Sequence, residues 1–252
     1  MKLLRYYGRL VRQSTYSFAK GLALPLMRRG AVKGGDHEMI YPVLTYSPWL
    51  NDPEFQAIYG AARKSTLVDI WRSYELWNLV DQVKKVDGAI VEVGVWRGGT
   101  GAMMARRAEQ LGIKDTIYLC DTWEGVVKTG EHDPYYHDGK HDDTSREIVQ
   151  KLVDEQGLTN VKLLKGVFPD ETADQVSDKK LRLVHIDVDI YQSGADVLDW
   201  AWPKLSSGGV VVFDDFGCPG TPGITDLVNE RRGEPDRFYF HNANGHAVFI
   251  KR

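Results

Sequence analysis

The chain has 252 residues, a length that suits one α/β domain with extensions better than two full domains. Hydrophobic residues make up 42% of it and charged residues 27%, so the composition excludes a disordered, collagen-like or disulfide-scaffold protein. Cys120 and Cys218 are the two cysteines, too few for a disulfide framework, which favours a reducing, cytoplasmic location. The sequence contains no apolar run of 18 residues, so we expect no segment to span a bilayer.

The net charge of -3 conceals a basic N-terminus. Residues 1–35 carry eight of the 32 Lys and Arg residues and no acid, which leaves 24 basic against 35 acidic residues in the rest. That acidic remainder argues against nucleic-acid binding. Apolar residues recur at helical spacing among the first cations, so the segment is either a solvated or swapped arm, or an amphipathic helix on an anionic membrane or a partner. A membrane-peripheral location is therefore the alternative to a purely cytoplasmic one.

The first part of the chain divides into an extension and the start of a domain. Residues 36–60 are rich in proline and aromatic residues without sustained periodicity, and we predict an irregular segment there. Apolar spacing predicts a helix over residues 67–86, which Gly88 ends. We therefore assign residues 1–64 to the basic extension with its irregular segment, and residues 65–252 to the main domain.

From residue 89 onwards, the patterns of strands and helices alternate. The predicted strands are residues 89–94, 116–121, 161–165, 181–188 and 209–213, and the predicted helices are residues 100–111, 145–156 and 196–205. A closing antiparallel hairpin is predicted at residues 238–240 and 246–251, around a turn at 242–245. The alternation predicts an α/β fold with a mostly parallel twisted sheet, helices on both faces and a ligand site at the carboxyl ends of the strands.

A glycine-rich turn follows the first predicted strand. The strand ends at Gly94, and Trp96, Gly98 and Gly99 lead into a helix, so the backbone can approach a ligand at the helix N-terminus. Trp96 replaces the second glycine of the dinucleotide fingerprint, which argues against a bound dinucleotide. Asp121 ends the second strand, where an acid can accept hydrogen bonds from both ribose hydroxyls of a nucleoside. The pattern indicates a nucleoside cofactor, with a purely structural turn as the alternative.

Four carboxylates end two further predicted strands. Asp187 and Asp189 follow one strand, and Asp214 and Asp215 follow the next. Repulsion among them would be costly without a cation, and a set of oxygen ligands suits Mg²⁺ or a similar hard metal. The alternative is that some of these acids cap the helices that follow.

Residues 124–144 form a polar insertion that is too long for a simple connection. It contains three histidines and two tyrosines, His132, His137, His141, Tyr135 and Tyr136. Long loops on this edge of a sheet serve as lids or substrate walls, and we predict that role here. A transition-metal site built from the histidines and a solvated loop are the alternatives.

Several motifs follow one another in a fixed order. They are EVGVWRGG at residues 92–99, Asp121 with WEG at 123–125, GVFPDET at 166–172, DVDIYQS at 187–193, PKL at 203–205 with GG at 208–209, and DDFG at 214–217. Over roughly residues 65 to 232 this order resembles the macrocin O-methyltransferase family (TylF/MycF type). Members of that family use S-adenosylmethionine and Mg²⁺ to methylate sugar hydroxyls of natural products.

The resemblance implies a Rossmann-like class I methyltransferase fold and O-methylation of a hydroxyl of a sugar in a natural product or surface glycan. It implies cofactor contacts from Thr66, Glu92, Gly94, Trp96, Thr100, Asp121, Trp123, Gly166, Phe168 and Asp187. It implies that Asp187, Asp214 and Asp215 hold the metal.

A second similarity, to catechol-type methyltransferases, bears on which residue acts as the general base. The metal-ligand spacing is similar to that of catechol-type methyltransferases, which place a lysine three residues beyond the first ligand, where this chain has Ile190. A carboxylate is therefore expected to act as base, either Asp187 or Asp189, with His137 or His141 as outside candidates. We expect His137, His141 and Tyr191 to contact the acceptor.

The chain departs from the family pattern after Gly217. The family carries a Gly-Cys-Arg segment there, whereas this chain has Cys218 followed by PGTPGIT, so a substrate-side arginine is missing. A catechol-like or polyketide phenol O-methyltransferase and a non-catalytic cofactor-binding scaffold are the alternative functions. The expected partners are a glycoside or glycan acceptor and further copies of the chain in a homo-oligomer.

Overall fold

The structure is a computed structural model that describes residues 45–178 and 180–252. The basic segment 1–35, with its predicted membrane or partner contact, lies outside the described residues. Residues Pro48–Arg252 form one compact unit. Among the helices of the described residues, none combines the length and the apolar character needed to cross a membrane.

A sheet of seven strands organises this described unit. The strands are β1 (Ala89–Val93), β2 (Ile117–Asp121), β3 (Val161–Lys165), β4 (Leu181–Ile186), β5 (Leu205–Phe213), β6 (Arg237–His241) and β7 (Ala247–Lys251). They lie in the order β3-β2-β1-β4-β5-β7-β6. The first five are parallel, and β7 pairs antiparallel with both β5 and β6. The predicted mostly parallel sheet with a C-terminal hairpin is confirmed.

The described residues also form α-helices and short 3-10 segments. The helices are α1 (Pro53–Ala62), α2 (Ile70–Gln82), α3 (Gly99–Gln110), α4 (Arg146–Glu155), α5 (Tyr191–Ala201) and α6 (Pro222–Arg231). The 3-10 segments are Pro48–Asn51, Ala173–Gln175 and Trp202–Lys204. The helix predicted over residues 67–86 is thus shorter, because Asp69 caps α2 by accepting the backbone N–H groups of Trp71 and Arg72.

Helices cover both faces of the sheet. On one face, Leu76 of α2 and Met103 of α3 belong to the same buried cluster as Ile90 of β1. On the other face, Leu198 of α5 belongs to a second buried cluster with Val91. Because successive strand residues point to opposite faces, the two clusters lie on opposite sides of the sheet. A parallel sheet buried in this way exposes its strand ends, where loops can form a site.

Helix α1 corrects the expectation of an irregular segment for residues 53–60, while residues 36–44 lie outside the described part of the chain. Asp52 caps the helix by accepting the backbone N–H of Phe55 at 2.9 Å, and Pro53 occupies its first turn. Proline is well accommodated there because its missing N–H would have no partner within the helix. The side chain of Phe55 is fully buried, so this part of the chain packs with the core.

Two helices near the acids also differ from the sequence expectation. Helix α5 begins at Tyr191 rather than at residue 196, and helix α6 was not predicted. The start of α6 reads Pro222 and then Gly223, a pair that resembles a turn in sequence. Burial of Ile224 and Leu227 against the second cluster stabilises this helix in spite of its composition.

Candidate active site

A cavity of about 260 Å³ lies at the carboxyl ends of the parallel strands. Its wall includes Val93 at the end of β1 and Asp121 at the end of β2. Asp187, directly after β4, and Asp214, directly after β5, lie on the same wall. This is the edge at which the strand pattern predicted a ligand site.

Asp121 holds the glycine turn that follows β1. Its Oδ2 atom accepts the backbone N–H of Val95 at 2.7 Å and of Trp96 at 2.8 Å. Its Oδ1 atom accepts the backbone N–H of Trp123 at 2.6 Å. Burial raises the pKa of Asp121, while these backbone hydrogen bonds oppose the rise. A carboxylate offers about four acceptor positions, so these three hydrogen bonds leave about one position of Asp121 for a ligand.

Gly94 brings the ends of β1 and β4 close together. Its φ is 89°, and a Cβ atom there would lie 1.7 Å from the backbone oxygen of Asp187. Any side chain at this position is therefore excluded. As a result, the glycine turn and the first acid pair, Asp187 and Asp189, lie side by side on the cavity wall.

The four acids meet in the same cavity. Carboxylate oxygens of Asp187, Asp214 and Asp215 lie within 4.8 Å of one another, and Asp189 also lines the wall. Burial, followed by the neighbouring carboxylates, raises the pKa of Asp187 well above its ordinary value. The pKa of Asp189 is raised by burial and by Asp215. A bound cation would offset both effects, so the set of donors fits a hard metal ion.

The helix-capping alternative for these acids is wrong. Ile190 occupies the position before α5 and Thr221 the position before α6, and neither helix has a side-chain cap from that residue. Asp189 and Asp215 instead adopt left-handed backbone angles, with φ of 66° and 61°. Such angles are uncommon in residues with a side chain and cluster at functional sites.

Arg72 of α2 is a cation in this cluster that the sequence analysis missed. Its Nη1 atom lies 2.6 Å from Oδ2 of Asp214 and 3.3 Å from Oδ1 of Asp215. Its Nε atom donates to Oδ2 of Asp69 at 2.9 Å. The spacing of Asp69 and Arg72 in sequence predicts their own pair, but no local pattern indicates a contact with residues after β5.

His246 holds the other oxygen of Asp214 from the buried interior. Its Nε2 atom lies 2.8 Å from Oδ1 of Asp214, and its Nδ1 atom lies 2.6 Å from Oε2 of Glu75. Although burial opposes it, these two carboxylates raise the pKa of His246 to about 9. In turn, His246 and Arg72 hold the pKa of Asp214 below its ordinary value against the effect of burial. The charge of Arg72 and the proximity of His246 therefore favour the ionised form of Asp214.

Two predicted cofactor contacts, Glu92 and Trp123, do not line the cavity. Glu92 is fully buried, and its Oε1 atom lies 2.9 Å from Nδ1 of His185. Side chains alternate along β1, so Glu92 shares the core face with Ile90 rather than pointing to the cavity edge. Trp123 is buried and donates its Nε1–H to the backbone oxygen of Trp96 at 3.2 Å. Both residues are thus buried next to the residues of the cavity wall and do not reach its surface.

The remaining predicted cofactor contacts lie on the cavity wall. They are Thr66, Gly94, Trp96, Thr100, Asp121, Gly166, Phe168 and Asp187. Thr100 belongs to the first turn of α3, whose N-terminal N–H groups have no partners within the helix.

The insertion forms one side of the cavity. Of the three residues predicted to contact the acceptor, His141 is the one that lies on the cavity wall. His141 lines the wall, whereas His137 is exposed and lies outside it. Tyr191 also lies outside, because its hydroxyl donates to Oε2 of Glu230 at 2.6 Å. Tyr136, which was not among the expected acceptor contacts, lines the wall and donates its hydroxyl to Oδ1 of Asp189 at 2.7 Å.

The alternatives for the insertion are not supported within the described residues. Its histidines do not belong to any group there whose ligand atoms could hold a metal ion. His132 pairs with Oδ2 of Asp226 at 2.9 Å, and Asp133 is buried. Gly125, Val126, Val127, Tyr136 and His141 of the insertion line the cavity, while its role as a lid or substrate wall stays a prediction.

Comparisons with known proteins identify the family of this chain. The family described as Macrocin-O-methyltransferase (TylF) matches residues 63–235. Demethyldecarbamoylnovobiocin O-methyltransferase of Streptomyces niveus is 31% identical over 188 residues, which cover 69% of this chain and 70% of that protein. The 8-demethyl-8-(2,3-dimethoxy-alpha-L-rhamnosyl)-tetracenomycin-C 4'-O-methyltransferase of Streptomyces olivaceus is 31% identical over 183 residues, which cover 67% of each chain.

A solved structure shows the same architecture. The O-methyltransferase NovP has a TM-score of 0.67 and 26% sequence identity, over 74% of this chain and 82% of its own. This likeness confirms the predicted Rossmann-like class I methyltransferase fold. The matched family segment contains the glycine turn, Asp121 and all four acids. The chain therefore belongs to the macrocin O-methyltransferase (TylF) family of O-methyltransferases.

Proposed function

We propose that this enzyme transfers the methyl group of S-adenosylmethionine to a hydroxyl of a sugar in a natural product or surface glycan, with Mg²⁺ at the acid cluster. The observation that carries the proposal is that the glycine turn and the four acids line one cavity. Such a cavity can hold a methyl donor beside an acceptor hydroxyl. The Streptomyces olivaceus relative is named as a 4'-O-methyltransferase of a rhamnosyl compound, which supports a sugar as the acceptor class.

The donor side of the cavity is assigned to the glycine turn and β2. Asp121 accepts one ribose hydroxyl with its remaining acceptor position, and the backbone at Gly94 lies against the methionine part. Thr66, Thr100 and Phe168 also line the wall, and Phe168 is assigned to the apolar face of the adenine. Glu92 is given no direct cofactor contact in this proposal, because it is fully buried and pairs with His185.

The acid cluster is assigned to the cation. Asp187, Asp214 and Asp215 would hold it through oxygen ligands, the kind that Mg²⁺ prefers. Arg72 offsets part of the negative charge, but four carboxylates outnumber that one guanidinium on the wall, so a further cation is still favoured. When bound, Mg²⁺ supplies Lewis acidity that lowers the pKa of an acceptor hydroxyl.

Asp189 is assigned as the general base, with Asp187 as the second candidate. Asp189 lies on the wall outside the three-carboxylate group, so its carboxylate is free of the proposed metal and can accept the proton of an acceptor hydroxyl. The acceptor oxygen forms its bond to the methyl carbon as the carbon–sulfur bond breaks. The hydroxyl proton passes to Asp189, and S-adenosylhomocysteine leaves.

The basic segment, residues 1–35, is assigned a role in membrane contact or in oligomer formation. The eight cations and absence of acids in residues 1–35 support docking of this segment on an anionic membrane or on a second copy of the chain in a homo-oligomer. Deleting residues 1–35 should abolish flotation with anionic liposomes or reduce the oligomer mass. Unchanged behaviour in both assays would make the segment a solvated arm.

Methyl transfer to a panel of acceptors tests the activity. The full chain would be incubated with S-adenosylmethionine, Mg²⁺ and either glycosides with adjacent hydroxyls or catechols, and the acceptor mass measured. A gain of one methyl group on a glycoside supports the proposal, and a gain on catechols alone would favour the phenol alternative. Cofactor binding without a gain on any acceptor would favour the scaffold.

A further inference from the structure

One turn of the insertion contacts the chain that directly follows the first acid pair. Oδ1 of Asp133 accepts the backbone N–H of Tyr191 at 3.0 Å. The hydroxyl of Tyr136 donates to Oδ1 of Asp189 at 2.7 Å. The backbone N–H of Tyr136 donates to the backbone oxygen of Asp133 at 3.0 Å. Both contacts therefore come from a single hydrogen-bonded turn.

Asp133 acts as an N-cap for α5 from a distant part of the chain. Tyr191 is the first residue of that helix, and Ile190 before it offers no side-chain cap. Asp133 is 4% exposed, and its second oxygen accepts the backbone N–H of Gly130 at 3.1 Å. A carboxylate at this place satisfies an unpaired N–H group and is favoured by the helix dipole.

The neighbouring helix leaves room for this carboxylate. A Cβ atom at Gly223 of α6 would lie 2.1 Å from Oδ1 of Asp133. A side chain at position 223 would therefore displace the cap. Two helices and the insertion meet around one buried carboxylate, which makes its place at the start of α5 specific.

Asp189 is held in an unfavourable conformation between these contacts. Its φ of 66° is uncommon for a residue with a side chain and costs free energy. Tyr136 holds its carboxylate, and the capped start of α5 fixes the chain two residues later. The insertion thereby offsets the cost of the strained backbone.

We propose that Asp133 and Tyr136 are positioning residues that hold the carboxylate of Asp189 at the acceptor side of the cavity. The insertion then lines the cavity and also fixes the position of one of its four acids. The consequence for turnover rests on the proposed function, in which Asp189 is the base. The placement of Asp189 by the insertion does not rest on it.

Hydrogen exchange of the full chain without substrates tests the placement. Asp133→Ala should speed exchange of the Tyr191 amide about tenfold or more, because that N–H loses its acceptor. Asp133→Asn keeps an oxygen acceptor and should retain most of the protection. Tyr135→Phe is the matched control, since Tyr135 is 65% exposed in the same turn and should leave exchange unchanged. Unchanged exchange of the Tyr191 amide in Asp133→Ala would overturn the proposal.

Steady-state kinetics test the consequence for turnover. Tyr136→Phe should lower kcat about tenfold to a hundredfold, the loss expected when a hydrogen bond to a charged group is removed. KM for the methyl donor should change less than about twofold, because the lost contact is with Asp189 rather than with the donor side. In an Asp189→Asn background, the same substitution should change kcat less than about twofold.

The two tests separate the proposals. Equal kcat losses from Tyr136→Phe in both backgrounds, or no loss in either, would contradict the positioning role. If the wild-type protein methylates no acceptor, the proposed function fails while the exchange result still decides the placement.

Discussion

The guanidinium of Arg72 lies 2.6 Å from the carboxylate of Asp214, through Nη1 and Oδ2, at the edge of the cavity. His246 lies 2.8 Å from the other carboxylate oxygen of the same residue. These two contacts keep Asp214 ionised within a group of neighbouring acids. Asp187 has no ion pair of this kind within the described residues, and burial together with its neighbours raises its pKa. A bound metal ion would therefore stabilise the ionised form of Asp187 more than that of Asp214.

The first prediction concerns the metal. Chelation with EDTA should abolish methyl transfer while S-adenosylhomocysteine still binds, and Mg²⁺ should restore transfer, because all the proposed cofactor contacts except Asp187 come from residues other than the metal ligands. Asp214→Asn should be less damaging than Asp214→Ala, since the amide keeps an oxygen ligand. Asp187→Asn should be more damaging than Asp214→Asn if Asp187 also takes up the proton. Assays with and without chelator, together with calorimetry of the cofactor, measure this. Full turnover in EDTA would remove the metal assignment.

The second prediction concerns Asp121. Asp121→Ala should weaken S-adenosylhomocysteine binding by about 1.5 to 3 kcal/mol, the range for a hydrogen bond to a charged group. It should also destabilise the fold, since three backbone N–H groups lose their acceptor. Asp121→Asn should lie between the wild type and Asp121→Ala in both respects. Calorimetry and urea unfolding measure the two effects. If neither changes, Asp121 neither binds the cofactor nor holds the glycine turn.

The third prediction separates the two histidines of the insertion that were considered as acceptor contacts. His141→Ala should raise the acceptor KM or lower kcat, because His141 lines the cavity. His137→Ala should leave both unchanged, because His137 is exposed and lies outside the wall. Initial rates against acceptor concentration decide between them. A larger effect from His137 than from His141 would contradict the described cavity.

The fourth prediction concerns the pH dependence of stability. The pKa of His246 rises from 6.5 to about 9 on folding, which corresponds to about 3 kcal/mol of stabilisation. That contribution is complete below pH 6.5, falls as the pH rises towards 9 and is absent above it. His246→Gln should remove this part of the pH dependence of the unfolding free energy. Urea unfolding at pH 6 and at pH 10, in both proteins, measures the difference. The same loss of stability with pH in the variant would show that another group causes it.

Much of the fold could be predicted from the sequence because its strands carry local signals. The parallel strands are short apolar runs, and each occurs near its predicted position, with residues 161–165 matching the bounds Val161–Lys165 of β3. Helix α5 was placed five residues too late, since its start is stabilised by Asp133 from the insertion. Such a long-range cap leaves no periodic signal in the chain.

The candidate site could be predicted in part for the same reason. The strand-end acids were found because parallel strands bring their carboxyl ends to one edge. Arg72, Glu75 and His246 were missed, since helix α2 and the hairpin reach Asp214 only through tertiary packing. Glu92 was predicted to contact the cofactor, but its side chain points into the core. It contacts His185, which lies opposite it on the neighbouring strand β4.

The most direct test of the central claim is methylation of a glycoside with adjacent hydroxyls by the wild-type protein and by Asp189→Asn. Both would be loaded with S-adenosylmethionine and Mg²⁺, and the mass of the acceptor would be followed with time. We predict that the wild-type protein adds one methyl group, and that Asp189→Asn loses about a hundredfold or more in rate while cofactor affinity is retained. Transfer by Asp189→Asn at the wild-type rate, or no transfer to any glycoside by the wild-type protein, would contradict the account.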